Sequence, residues 1–227
     1  MNIFLITKTI AFITMFIDHF GFLNNLINFR IIGRISMPLF AMLMALGTRY
    51  TKNAGIRTLK LLTVALISTP ITLFFFKTEI LNIIFSFFIF SFLFFLIKRH
   101  EIKSNLFEIM CIIILVILDK ILHVDYGAYL ILLLYTFYKL NNCYIVILIF
   151  SLLTVLRCIF FTVGKFKYLQ LYSLFAIPFI WVFYKFKDKC NKRITYRNKF
   201  LNVLSKNLFY ILYPIHFLLL LLIDKFF

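Results

Sequence analysis

Nine apolar stretches occupy nearly the whole chain, and most are about as long as a bilayer is thick. They cover residues 4–23, 33–50, 58–76, 80–97, 104–122, 126–140, 143–163, 168–186 and 205–224. A hydrocarbon core requires about 20 apolar residues per helix. The stretches are continuous rather than alternating, which argues against an outer-membrane barrel. The chain has 227 residues, 63% of them apolar and only 15% charged. A soluble domain of that composition lacks the polar surface to cover itself, and disorder is excluded by the same hydrophobicity. The expected fold is all-α, a single polytopic membrane domain over residues 1–227 with about nine transmembrane helices. No internal repeat or second domain is evident.

The formal net charge of +17 looks at odds with this composition. The basic residues lie between the apolar runs rather than in one patch, which argues against a nucleic-acid partner. With the N-terminus inside, 17 of the 25 Lys and Arg residues fall on the inner side and 8 on the outer. The positive-inside rule then gives N-in, C-out for nine spans. Cys111, Cys143, Cys158 and Cys190 are far apart and form neither a disulfide framework nor a zinc pattern. The first stretch runs into Asp18-His19 without a small-residue cleavage site, so it is expected to stay as a span.

Ionisable groups within spans are costly and are functional candidates by default. Asp18 and His19 sit in the outer half of the first span, and Arg30 and Arg34 share a helix face four residues apart. Asn82 opens the fourth span, Asp125-Tyr126-Gly127 opens the sixth, and Arg157 lies in the outer half of the seventh. His216 follows Pro214 in the ninth. All fall at similar outer depth. Each also has a plainer role. Asp18 pairs with Arg30 or Arg34 to fix two helices, and His19 bonds a neighbour as a core imidazole. His216 satisfies a carbonyl freed by the proline, Arg157 snorkels to the interface, and Asp125-Tyr126-Gly127 is a turn.

On the inner side, Arg49, Tyr50 and Lys52 belong to the block that ends the second span, followed by Arg57 and Lys60. Juxtamembrane basic residues serve topology and anionic lipid. They also suit the phosphates of a cytosolic co-substrate. Asp18 and His19 are consecutive, hence about 100° apart on a helix, so Asp18 is expected to order an arginine rather than the imidazole. No hydrolase or nucleotide-binding motif occurs, and no Ser or Cys stands out as a nucleophile. A His base acting on a thioester donor needs neither. Acetyl-CoA would supply the thioester together with phosphates for the inner cluster; no metal is expected.

Several blocks resemble the TraX family: Lys8-Thr9-Ile10-Ala11, Ile17-Asp18-His19-Phe20-Gly21, Arg30-Ile31-Ile32-Gly33-Arg34 and Gly47-Thr48-Arg49-Tyr50-Thr51-Lys52-Asn53. Leu81-Asn82, Asp125-Tyr126-Gly127 and Tyr210-Ile211-Leu212-Tyr213-Pro214-Ile215-His216 match later blocks in order. The chain departs from the family pattern at Met37, Met42-Leu43-Met44 and Thr69-Pro70. The resemblance implies a multi-pass protein of the bacterial inner membrane, related to transmembrane acyltransferases. Such a protein takes acetyl from cytosolic acetyl-CoA and delivers it to an amine or hydroxyl outside, on a pilin-like N-terminus or a surface glycan. It implies His19 as catalytic residue, with Arg30 and Arg34 in support. Asp18, Asn82, Asp125, Tyr126 and His216 complete the outer cluster. Two competing readings use the same residues: a proton-coupled transporter or flippase, and a non-catalytic subunit of a pilus or secretion machine.

Overall fold

The computed structural model describes residues 3–102, 104–160, 168–187 and 199–226. Lys103, Lys165, Lys167, Cys190 and most of the basic segment after Lys187 lie outside them. Among the described residues the chain is helical apart from short turns and loops, with one isolated bridge between Leu81 and Val124 and no strand. The helices are α1 (Ile3–Leu23), α2 (Ile27–Gly33), α3 (Ser36–Tyr50), α4 (Ala54–Phe76) and α5 (Ile83–Arg99). There follow α6 (Asn105–Ile121), α7 (Gly127–Lys139), α8 (Cys143–Phe160), a 3-10 helix (Leu169–Ala176) running into α9 (Ile177–Phe186), and α10 (Lys199–Phe226).

Each apolar stretch of the sequence corresponds to one helical rod. Among the described residues, five rods are long and apolar enough to cross a membrane: α1, α2 with α3, α4, α8, and the 3-10 helix with α9. Shorter apolar windows lie in α6 and α10, at Asn105–Leu118 and Asn207–Ile223.

The central rod is α3, which packs against α1, α5, α7 and α9. Its Leu39, Ala41, Met42, Ala45 and Leu46 are buried. Small residues at Ala41 and Ala45 let neighbouring backbones come close, the usual device where lipid gives no hydrophobic push between helices. The outward faces are apolar instead. Phe74 of α4 is 72% exposed and Leu148 of α8 is 68% exposed, with Leu59, Leu66, Ile113 and Ile117 similarly turned out. In water such a surface would be an aggregation patch; facing acyl chains, it is the expected exterior.

The second stretch differs from a helix beginning at residue 33. Its helix starts earlier, at Ile27, and breaks between Gly33 and Ser36. Close packing onto α1 explains the early start. Asn25 takes a left-handed φ of 56°, Leu26 N–H donates to Gly21 O at 2.9 Å, and the chain folds straight back. Gly33 then lies directly on Asp18, where a Cβ would fall 2.2 Å from the Asp18 Cβ.

Polar ties hold the ends of the rods together. Lys98 of α5 donates to the carbonyls of Thr48 (2.7 Å) and Arg49 (2.8 Å), satisfying the last turn of α3. Asn82 caps α5 by accepting from Ile84 N–H at 2.9 Å. Its amide nitrogen reaches Ala65 O (3.2 Å), Ser68 Oγ (3.0 Å) and Thr69 Oγ1 (2.9 Å), beside Pro70 inside α4. The departure at Thr69-Pro70 is thereby locked to the following helix.

Gly33→Ala is expected to lower the apparent melting temperature of the purified protein, by an overpacking cost of about 2 kcal/mol. Gly55→Ala is the control, because its nearest contact would be an ordinary 3.4 Å. A thermal-shift comparison in one detergent checks the pair.

Candidate active site

Asp18 is the polar centre of the helix junction. It is 8% exposed and accepts from Arg34 Nη2 with both oxygens at 2.9 Å, and from Arg30 Nε at 3.2 Å. One carboxylate thus holds two guanidinium groups, and the trio keeps a net positive charge. Arg34 also donates to the Tyr126 hydroxyl at 3.3 Å. A hydroxyl oxygen that accepts from arginine keeps its own O–H to donate. Tyr126 has a φ of 67°, an uncommon value for a residue with a bulky side chain. Asp125 Oδ1 accepts its N–H at 2.8 Å, and Arg157 Nη1 donates to its carbonyl. The Arg157 guanidinium lies 4.9 Å from the centre of the Tyr126 ring and 5.2 Å from that of Tyr129. Arg157 therefore turns inward onto this loop instead of snorkelling outward. Strain held by several contacts at one residue is a common mark of a functional site.

His19 and His216 meet although 197 residues separate them. His19 Nδ1 lies 2.9 Å from His216 Nε2, and the rings are stacked 15° from parallel. His216 Nδ1 lies 3.3 Å from Leu212 O. A carbonyl can only accept, so Nδ1 of His216 carries the proton in that bond. With both imidazoles neutral, His216 Nε2 is the acceptor and His19 Nδ1 the donor. That leaves the lone pair of His19 on Nε2, which has no hydrogen-bond partner among the described residues. Pro214 frees the carbonyl four residues back, at Tyr210, whereas His216 bonds Leu212. The histidine is therefore doing something other than repairing the proline. Phe75, Phe76 and Phe217 surround His19 with ring centroids 4.7–5.9 Å away.

These groups line one cavity of about 520 Å³. Asp18, His19, Arg30, Arg34, Asn82, Asp125, Tyr126 and Arg157 all border it, as do Lys8 and Arg57 from the opposite ends of α1 and α4. His216 does not border it directly but backs His19. The expected outer cluster is thus brought together, with Asn82 in a structural position: its amide is committed to α4 and to the α5 cap.

The expected inner cluster is divided. Arg57 borders the cavity, with Nη2 donating to Met44 O at 2.7 Å. Arg49 instead donates to Asn141 Oδ1 at 2.9 Å and lies over the Tyr50 ring. Lys52 lines a separate open groove with Lys98 and Arg99. Among the described residues no group of three or more His, Cys, Asp or Glu side chains is placed to hold a metal ion.

Lys8 and Gln170 belong to the cavity wall although the sequence does not mark them as site residues; Arg157, a candidate as a charge within a span, joins them there. For Lys8 a signal existed. Residues 8, 12, 15 and 19 follow a helical stripe, and Lys8, Phe12, Met15 and His19 all face the cavity. Nothing local pointed to Gln170.

Asp18→Asn should destabilise the protein by about 3 kcal/mol, because it leaves two guanidinium groups in a buried site without their carboxylate. Chemical or thermal denaturation of matched preparations checks this; unchanged stability would show that the three groups are not a structural unit.

No curated protein and no solved structure matches the chain. A family model described as TraX protein matches residues 5–224. That match covers nearly the whole chain, from the first turn of α1 to the last turn of α10. The chain therefore belongs to the TraX family.

Proposed function

We propose that this protein is an integral-membrane acetyltransferase of the bacterial inner membrane. It passes an acetyl group from cytosolic acetyl-CoA to an amine or hydroxyl on the outer side, on a pilin-like N-terminus or a surface glycan. In this reading the nine rods cross the bilayer with the N-terminus inside. The basic end of the cavity at Arg57 then faces the cytosol. The observation that carries the reading is the continuity of one cavity from that basic end to His19.

His19 Nε2, unprotonated in the tautomer that His216 imposes, takes the proton of the acceptor N–H or O–H. The acceptor atom bonds to the acetyl carbonyl carbon, the carbon–sulfur bond breaks, and the thiolate recovers the proton from His19 as free CoA thiol. The tetrahedral intermediate places negative charge on the former carbonyl oxygen. The net positive Arg30–Arg34–Asp18 cluster and the Tyr126 O–H are the groups to stabilise it. Asp18 orders the arginines, and His216 is a positioning residue.

Acetyl-CoA binding and thiol release by the purified protein test the reading directly. Wild type should bind and turn over acetyl-CoA, and His19→Ala should lose turnover by about 100-fold or more while still binding the donor. A wild type that neither binds nor turns over acetyl-CoA returns the transport reading. Full turnover in His19→Ala removes His19 from the chemistry.

His216→Phe keeps a ring but removes the hydrogen bond. It is expected to lower kcat about tenfold or more through misorientation of His19, with little change in donor KM. A change in KM alone would show that His216 only shapes the cavity.

A further inference from the structure

Lys8 and Arg57 are two cations bordering one end of the cavity, from α1 and α4. Among the described residues neither has a carboxylate within ion-pair reach. The Lys8 ammonium lies over the Phe209 ring, 5.5 Å from its centre. Arg57 is held in place rather than paired. Its Nη2 bonds Met44 O and lies 3.3 Å from Met44 Sδ, its guanidinium fills the notch left by Gly47, and its Nε is buried without a partner. A Cβ at Gly47 would fall 1.7 Å from Arg57 Nη1. Holding two positive groups together away from water is costly unless an anion joins them.

Their distance from the imidazoles selects the anion. Lys8 and His19 are 11 residues apart on α1. Eleven residues are about three turns, so both side chains leave the same face about 16 Å apart along the axis. In CoA, about a dozen bonds separate the phosphate oxygen that carries the pantetheine arm from its sulfur. At about 3.5 Å for every three bonds, the extended arm reaches about 14 Å, and the acetyl carbon lies one bond further.

We infer that Lys8 and Arg57 form the seat for the phosphate at the root of a pantetheine arm, with the arm lying along the α1 stripe and its thioester at His19. This rests on the acetyl-transfer reading and adds a donor subsite to it. It explains why one cation of the inner cluster turns into the cavity while Arg49 and Lys52 stay outside. Phe12 and Met15 between the two ends give the arm an apolar wall.

The test compares two truncated donors, S-acetyl-4′-phosphopantetheine and S-acetylpantetheine, on the full chain in nanodiscs. Binding of unacylated 4′-phosphopantetheine is measured in parallel. Wild type should favour the phosphorylated donor in KM by about tenfold or more, the worth of one charge-assisted hydrogen bond. That preference should collapse toward unity in Lys8→Met and Arg57→Gln, survive in part in Arg57→Lys, and weaken in Gly47→Ala. If Arg57→Gln fails to fold, Lys8→Met and Arg57→Lys decide. Thiol release with no preference in wild type, or a preference unchanged in Lys8→Met and Arg57→Lys, overturns the subsite while acetyl transfer stands. Binding of 4′-phosphopantetheine that is lost in the variants, without thiol release from any donor, keeps the subsite and overturns the transfer reading. Binding that falls as the phosphatidylglycerol content of the nanodisc rises assigns the seat to a lipid phosphate and overturns the donor assignment.

Discussion

The Asp18 carboxylate is where the architecture and the chemistry meet. It accepts from Arg30 and Arg34, which flank Gly33 at the junction of α2 and α3. Gly33 has no side chain to keep α2 away from it. The tight turn after α1, the break before α3 and the direction of both guanidinium groups all follow from that contact. Arg34 then reaches Tyr126, and Arg157 clamps the same loop from α8. The α1–α2 hairpin, the loop before α7 and the end of α8 are thereby registered against one charged group. Such groups are expensive within a membrane and survive when each is satisfied.

The imidazole pair solves a different problem. A lone neutral histidine in an apolar site has two tautomers of similar energy, and only one leaves Nε2 free to accept a proton. The Leu212 carbonyl sets His216, and His216 sets His19. A backbone atom of α10 thus decides the protonation pattern on α1. This second-partner logic resembles the orientation of a catalytic imidazole by a carboxylate, but without adding a negative charge beside the arginines.

Local features were legible in the sequence and distant pairings were not. The helical rods follow from the apolar run lengths, and the Asp18 partnership follows from the spacing of Arg30 and Arg34 on one face. The relation of Asp18 to His19 was also readable, since consecutive helical residues diverge. The contact of His19 with His216 was not, because nothing in the spacing of two residues 197 apart encodes proximity. Lys8 was hidden for another reason. A lysine near a span end has a sufficient explanation in topology, which masks its place on the His19 stripe. Asn82 shows the reverse. Its residue type suggests a polar site group, yet the Ala65 carbonyl and the Ser68 and Thr69 hydroxyls of α4 occupy its amide.

The apolar exterior of α4, α6 and α8 also changes which contacts decide the fold. For a protein in water, sequestering Phe74 or Leu148 would be a large source of stability. In acyl chains the surroundings solvate these side chains about as well as a protein interior does. Moving such a residue from outside to inside then contributes little. What distinguishes the native arrangement from other stackings of the same rods is steric fit at Gly33 and Ala41, together with a small set of hydrogen bonds. This protein's uniqueness therefore rests on few atoms. A large aliphatic change on its surface is a change of solvent contact, whereas one methyl group at Gly33 presses directly on the Asp18 junction.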